Sequence, residues 1–127
     1  MNDFRTPLKR VSGLGSAQSG TGHFWAQRVT GAANLVLLLF VIYSGVTLAG
    51  EPLSEVRDYF ASPVVAALAV LFALSASYHM RIGMQVIIED YIHAPASKVT
   101  LLLLNSFFAA VIALISTIAI IKLSLGA

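Results

Sequence analysis

The chain has 127 residues, of which 57% are hydrophobic and 11% are charged, and its formal net charge is +2. Soluble domains carry about 25% charged residues, so this composition excludes an ordinary soluble domain and predicts an integral membrane protein. The small net charge gives no indication of nucleic-acid binding. The absence of cysteine excludes disulfides, thiolate-bound iron–sulfur clusters, zinc–thiolate sites and thioether-attached haem on this chain.

The N-terminal tail, residues 1–22, is predicted to be a cytoplasmic extension of the membrane domain. No apolar run directly follows Lys9 and Arg10, so the tail does not have the pattern of a secretory signal. Its glycine- and serine-rich part, residues 12–22, has a composition typical of a segment that a partner orders. Phe24 and Trp25 follow, and aromatic residues of this kind anchor a chain at the membrane interface.

Three apolar runs predict a three-helix membrane domain over residues 23–127. About 20 apolar residues cross the hydrocarbon core of a bilayer as a helix, and a backbone in lipid has to satisfy its own hydrogen bonds. The two links between the runs contain prolines and charges, which break helices. The predicted fold is therefore all-α, with spans at about residues 29–50, 63–88 and 99–125.

The basic residues predict the orientation of the bundle. Four basic residues lie before the predicted first span, whereas the 51–62 link has Arg57 as its single basic residue against three acidic residues. The positive-inside rule then places the N-terminus in the cytoplasm and the three helices up, down and up. The 89–98 link returns to the cytoplasm. A bundle this small is expected to work as part of a complex.

The second span contains a histidine among apolar residues. At 100° per residue, one helix face carries small residues beside His79 and an acid where the helix leaves the membrane. Small residues let a flat group approach a membrane histidine, and a haem held by an axial imidazole is such a group. The alternative is a hydrogen bond from His79 to a neighbouring helix. The residues of this face are Ser75, Ala76, His79, Gly83, Val86 and Asp90.

Other polar residues of the second span lie away from His79. Arg81 is on the opposite helix face, where snorkelling or an ion pair is expected rather than catalysis. Asp90 and Tyr91 fall at the predicted membrane boundary, roughly 18 Å along the helix from His79. A phenol donates a hydrogen bond to a quinone carbonyl while an acid resupplies the proton. The alternative is an ordinary interfacial tyrosine beside an acid that ends the helix.

Two motifs resemble those of the smaller hydrophobic anchor subunit of succinate dehydrogenase, respiratory complex II. In "HMRIGMQVIIEDYIH", His79, Gly83 and Asp90-Tyr91 have the spacing of the second-helix signature of that family. In "HFWAQRVTG", residues 23–31, an arginine and a Thr-Gly pair resemble the start of its first helix. The resemblance covers about residues 20–125 and includes the number of helices.

The resemblance implies a role for each candidate site residue. His79 is expected to be an axial ligand of a haem b, with the second ligand from a companion anchor subunit. Tyr91 is expected to hydrogen-bond a carbonyl of ubiquinone, with Asp90 supporting it. The haem propionates and pocket are assigned to Arg28, His23, Ser75 and Gly83.

The resemblance also implies partners and a location. The companion cytochrome b anchor subunit, an iron–sulfur subunit and a flavoprotein subunit are expected, and succinate chemistry belongs to the last two. The complex is expected in the bacterial inner membrane, where electrons from succinate pass to the quinone pool. The alternatives are a purely structural membrane anchor and a small accessory subunit of another membrane complex.

Overall fold

The computed structural model describes residues 6–12 and 20–126, and within them the chain forms helices and no strand. Three of the helices are long and apolar enough to cross a membrane, which confirms the predicted all-α membrane fold with three spans. The helices are α1 (Pro7–Ser12), α2 (Gly20–Leu48), α3 (Leu53–Ala61), α4 (Pro63–Tyr91) and α5 (Pro95–Ser124).

The long helices extend beyond the predicted spans at one end of the bundle. There α2 begins at Gly20, α4 ends at Tyr91 and α5 begins at Pro95, and we call this the Tyr91 end. The opposite end, where α2 is followed by Gly50, is the Gly50 end. The expectation that residues 12–22 are ordered by a partner concerns mainly residues 13–19, which lie outside the described residues.

The 51–62 link contains a helix that the breaks in the sequence did not predict. Proline precedes α3, Glu55 lies in its first turn, and an acid there complements the helix dipole. Val56, Tyr59 and Phe60 are half-buried along one face, which is the amphipathic spacing of a surface helix. The helix breaks are therefore confined to the few residues before α3 and to Ser62.

Local sequence explains where the long helices start and where α2 stops. Pro63 and Pro95 occupy the first turns of α4 and α5, where proline's fixed φ suits the helix and its missing N–H costs nothing. After α2, Gly50 has φ of 86°, a left-handed conformation that glycine adopts without steric cost. Helix α4 thus follows α2 after a segment that contains α3, whereas only residues 92–94 separate α4 from α5.

The middle span, α4, packs along both α2 and α5, and α3 packs against α4 and α5. A polar contact ties α3 to α2 at the Gly50 end. The buried Ser44 donates to the Phe40 carbonyl at 2.8 Å, so its oxygen accepts from the Tyr59 hydroxyl, also at 2.8 Å. The contact fixes α3 beside the last turns of α2.

Few apolar side chains are buried within the described part of the chain. They are Leu37, Ile82, Ile88 and Ala109, whereas large apolar side chains are exposed along all three spans. Lipid or another membrane subunit can cover such surfaces without the cost of contact with water. The polar contacts between helices consequently have a large part in setting how the helices pair.

Candidate functional site

The His79 imidazole lies between α4 and α2. Its Nδ1 is 2.9 Å from the Thr30 hydroxyl oxygen, and its Nε2 is 3.5 Å from the Gln27 amide nitrogen. The second distance is at the long limit for a hydrogen bond. Thr30 also donates to the Ala26 carbonyl at 2.6 Å. One ring nitrogen is thus firmly held and the other only weakly.

Two glycines provide the space around this imidazole. A Cβ added to Gly31 would lie 3.4 Å from His79 Cε1, and one added to Gly83 would lie 3.5 Å from the Gln27 amide nitrogen. Gly31 therefore lets α2 approach the ring edge, and Gly83 leaves room for the Gln27 side chain beside Nε2. Gly83, one of the residues predicted to form a haem pocket, lies beside the Gln27 amide nitrogen, and this nitrogen in turn lies beside His79 Nε2.

Two amide groups on α2 are incompletely satisfied. Gln27 Oε1 and Asn34 Oδ1 are buried and have no hydrogen-bond partner in the described part of the chain. A buried acceptor without a partner costs about 1–3 kcal/mol. Because its oxygen has no partner and its nitrogen lies 3.5 Å from His79 Nε2, the Gln27 amide is held only weakly beside His79. Moving this side chain away would break no strong hydrogen bond.

The predicted propionate residues lie on the first turns of α2, toward the Tyr91 end. Arg28 is exposed, and its guanidinium carbon lies 4.3 Å from the centre of the Phe24 ring. His23 is exposed and lines an open cavity of about 350 Å³ with Tyr78. Ser75 is half-buried one turn from His79 on α4. None of these three predicted residues is hydrogen-bonded to the imidazole, whose partners are Gln27 and Thr30.

Asp90 and Tyr91 occupy the last turn of α4. Both are exposed, Tyr91 by 75%, and within the described residues neither side chain has a hydrogen-bond partner. Helix α4 is continuous from His79 to Tyr91, so they are separated by about 18 Å along the axis. The two groups are available to bind something outside this chain.

Neighbouring residues hold that last turn in place. Lys98 of α5 donates to the Glu89 backbone carbonyl at 2.7 Å, and Gln85 donates to the Glu89 carboxylate at 2.8 Å. A cation on the last carbonyls of a helix satisfies acceptors that have no partner within the helix. The turn is capped by α5 while the adjacent acid and phenol stay free.

Arg81 contacts α5. Its Nε donates to the Ser106 hydroxyl at 3.2 Å, and Asn105 donates to the Arg81 backbone carbonyl at 2.8 Å. The sequence predicted snorkelling or an ion pair, whereas the partner found is a hydroxyl on the neighbouring span. Arg81 and His79 are on opposite sides of α4, as the helix periodicity predicted.

Sequence reasoning missed the side chains that contact His79 from α2. Gln27, Thr30 and Gly31 have the spacing i, i+3 and i+4, which places them on one helix face. The available signal was the Thr-Gly pair of the first-helix motif, one turn after a polar Gln. That this pair contacts His79 depends on how α2 packs against α4, which the sequence pattern does not specify.

The chain matches the family model described as "Succinate dehydrogenase/Fumarate reductase transmembrane subunit" over residues 2–120. It belongs to this family. The succinate dehydrogenase hydrophobic membrane anchor subunit of Paracoccus denitrificans is 34% identical over 125 residues, covering 96% of this chain and 94% of that protein. No solved structure gives a significant match.

Two further relatives of this anchor subunit carry the same description. The subunit of Rickettsia conorii is 30% identical over 110 residues, covering 86% of this chain and 87% of the relative. That of Rickettsia bellii is 27% identical over 107 residues, covering 84% and 86%. The chain is thus a membrane anchor subunit of succinate dehydrogenase, a complex in which other subunits form the catalytic head.

Proposed function

We propose that this anchor subunit binds haem b and ubiquinone and passes electrons from succinate oxidation to the quinone pool. The observation that carries the proposal is the arrangement of α4. This one continuous helix holds a half-buried imidazole within the span and an unpartnered acid and phenol at its end. The partners would be a companion cytochrome b anchor subunit, an iron–sulfur subunit and a flavoprotein subunit, in the bacterial inner membrane.

The residues around His79 fit a haem with one adjustment. Among the described residues, no group of three or more His, Asp or Glu side chains could hold a metal ion. His79 would supply one ligand of the haem, and the companion subunit would supply the other. Nε2 faces the weakly held Gln27 amide, whose oxygen has no partner. Rotation of that side chain would open the space between Nε2 and Gly83.

The Tyr91 end would provide the remaining contacts. Arg28 and His23 lie on the first turns of α2. A guanidinium near a span end suits a propionate carboxylate, and an imidazole N–H can donate a hydrogen bond to one. A b-type haem held in this way would supply a one-electron carrier within the membrane. With the N-terminus in the cytoplasm, the soluble subunits would dock at this end, beside Asp90 and Tyr91.

Tyr91 would bind the quinone head group. Its hydroxyl would donate a hydrogen bond to a quinone carbonyl, and the neighbouring Asp90 would support proton delivery. Tyr91 also borders an apolar groove of about 570 Å³ between α4 and α5. An isoprenoid chain beside such a groove would remain in apolar surroundings, which agrees with a head group at Tyr91.

The haem assignment is tested with the purified four-subunit complex carrying His79→Ala. We expect loss of the b-type signal from the reduced-minus-oxidised spectrum, measured per flavin. His93→Ala is the matched control, because His93 is exposed in the connection after α4. An unchanged b-type spectrum in the His79→Ala complex would show that His79 is not a ligand and would favour a purely structural anchor.

The quinone assignment is tested with Tyr91→Phe. Loss of one hydrogen bond of about 0.5–1.5 kcal/mol should lower quinone reductase activity roughly 2- to 12-fold, with succinate oxidation by an artificial acceptor unchanged. Tyr43→Phe, an exposed tyrosine of α2, is the control. Equal loss of both activities would indicate an assembly defect and contradict the assignment.

A further inference from the structure

The Thr30 hydroxyl determines which nitrogen of His79 carries a proton. A hydroxyl has one hydrogen, and the Thr30 oxygen lies 2.6 Å from the Ala26 carbonyl oxygen. Two oxygens this close need a hydrogen between them, because a carbonyl can only accept. The hydrogen of Thr30 is therefore used within α2.

The contact with the imidazole then has a defined direction. Thr30 Oγ1 lies 2.9 Å from His79 Nδ1, and its remaining role there is that of an acceptor. Nδ1 must therefore be the protonated nitrogen, and in a neutral imidazole Nε2 carries the free lone pair. The Gln27 amide nitrogen, a donor group, lies on the Nε2 side, which agrees with this tautomer.

The same face of α2 also fixes the direction of the ring. Nδ1 is bonded to Thr30, and Cε1 rests where a Gly31 side chain would start, 3.4 Å away. With these two ring atoms held against α2, Nε2 points past Gly31 toward Gln27 and Gly83. The lone pair therefore faces the Gln27 amide nitrogen, which occupies the room beside Gly83.

We propose that Thr30 is the positioning residue of the haem site: its hydroxyl oxygen accepts a hydrogen bond from His79 Nδ1–H, fixes the tautomer and leaves Nε2 as the nitrogen that would bind the iron. The proposal rests on haem ligation by His79. An acceptor on the outer nitrogen of a ligating histidine orients the ring and raises its basicity, and losing such a partner typically weakens metal affinity about 10- to 100-fold.

The test compares complexes carrying Thr30→Val and Thr30→Ser with the unchanged complex. Valine keeps the shape of threonine without the hydroxyl, and serine keeps the hydroxyl. We expect Thr30→Val to lose haem under dilution at least 10-fold more readily and to shift the haem midpoint potential upward, because a less basic ligand stabilises ferric iron less. Thr30→Ser should retain the unchanged complex's affinity and potential.

Two matched controls separate the hydroxyl from packing. Thr47→Val changes another α2 threonine, one that is exposed and bonded to the Tyr43 carbonyl at 2.9 Å, and it should leave the potential unchanged. Thr30→Ala differs from Thr30→Ser by the hydroxyl alone and should behave like Thr30→Val. The electron paramagnetic resonance signal of the ferric haem gives an additional readout of ring orientation.

The outcomes distinguish this proposal from haem ligation itself. If His79→Ala removes the haem while Thr30→Val keeps both the potential and the affinity of the unchanged complex, His79 is a ligand and the role of Thr30 is wrong. Equal shifts for the serine and alanine variants would also overturn that role. If His79→Ala retains the b-type spectrum, the haem ligation on which the proposal rests is wrong.

Discussion

Helix α4 presents a polar residue to each of its two neighbouring spans, and the two contacts are built differently. Toward α2, His79 has one nitrogen bonded to Thr30 and the other only 3.5 Å from a loosely held amide. Toward α5, the Arg81 side chain donates to the Ser106 hydroxyl, and the Arg81 backbone carbonyl accepts from the Asn105 amide. The α2 contact leaves one nitrogen available for chemistry, whereas the α5 contact has the character of a helix-pairing interaction.

The largest expected effect comes from filling the space on the α2 side. In Gly31→Val the new side chain starts 3.4 Å from His79 Cε1, and overpacking of this kind costs about 1–3 kcal/mol. We expect displacement of the imidazole and a several-fold lower haem content per flavin in the purified complex. Gly45→Val is the control, since an added Cβ there meets nothing within 4 Å. Equal haem content in both variants would contradict the tight α2 contact.

A smaller effect is expected where α5 caps α4. Lys98→Met removes the donor to the Glu89 carbonyl, and a cation at a helix C-terminus contributes about 0.3–1 kcal/mol. Because the last turn carries Asp90 and Tyr91, quinone reductase activity should fall a few-fold while the haem spectrum stays the same. Lys122→Met, at the other end of α5, is the control. A loss of haem in Lys98→Met would contradict the separation of the two regions.

Asn105→Leu tests whether the α5 contact is purely structural. It removes the bond to the Arg81 carbonyl, and hydrogen bonds between membrane helices contribute about 0.6 kcal/mol on average. The thermal midpoint of the purified complex should decrease slightly, with unchanged haem potential. Asn34→Leu serves as the comparison, because the Asn34 amide oxygen is buried without a partner and its removal should not destabilise. A shifted potential in Asn105→Leu would show that both sides of α4 act on the haem.

An effect of the same size is expected for the coupling between Arg81 and Ser106. A double-mutant cycle with Arg81→Met and Ser106→Ala should give a coupling energy of about 0.6 kcal/mol, the average for such pairs in membranes. It is measured from denaturation midpoints of the four complexes. A coupling energy of zero would mean that the Arg81 side chain does not bind Ser106 in the membrane and that snorkelling remains the better account.

The sequence predicted what depends on a single helix and missed what depends on two. Apolar length located the three spans, and the 100° periodicity correctly placed His79 and Arg81 on opposite faces of α4. Helix α3 was missed because it has only nine residues. The proline before it and the charges within it are typical of a helix break, and its amphipathic pattern is too short to outweigh them. The Thr30 contact shows that His79 does bond a neighbouring helix, while haem ligation by the same residue stays a prediction.

The identity of that partner was not predictable from the pattern of either helix. Which α2 residue faces His79 depends on how far the two helices are displaced along each other. The 49–62 connection, which contains α3, leaves this displacement open. The roles proposed for Arg28, His23, Ser75, Asp90 and Tyr91 depend in addition on subunits outside this chain. They stay predictions.

The bond between Ser44 and Tyr59, far from the candidate site, acts as a check on helix register. If α2 slipped by one turn along α4, Asn34 would replace Thr30 opposite His79, and its unpartnered amide oxygen could accept a hydrogen bond from Nδ1–H. The same slip would bring Leu48 opposite the Tyr59 hydroxyl in place of Ser44. The shifted register of α2 against α4 would therefore lose the Ser44–Tyr59 hydrogen bond, although His79 would still have a hydrogen-bond acceptor.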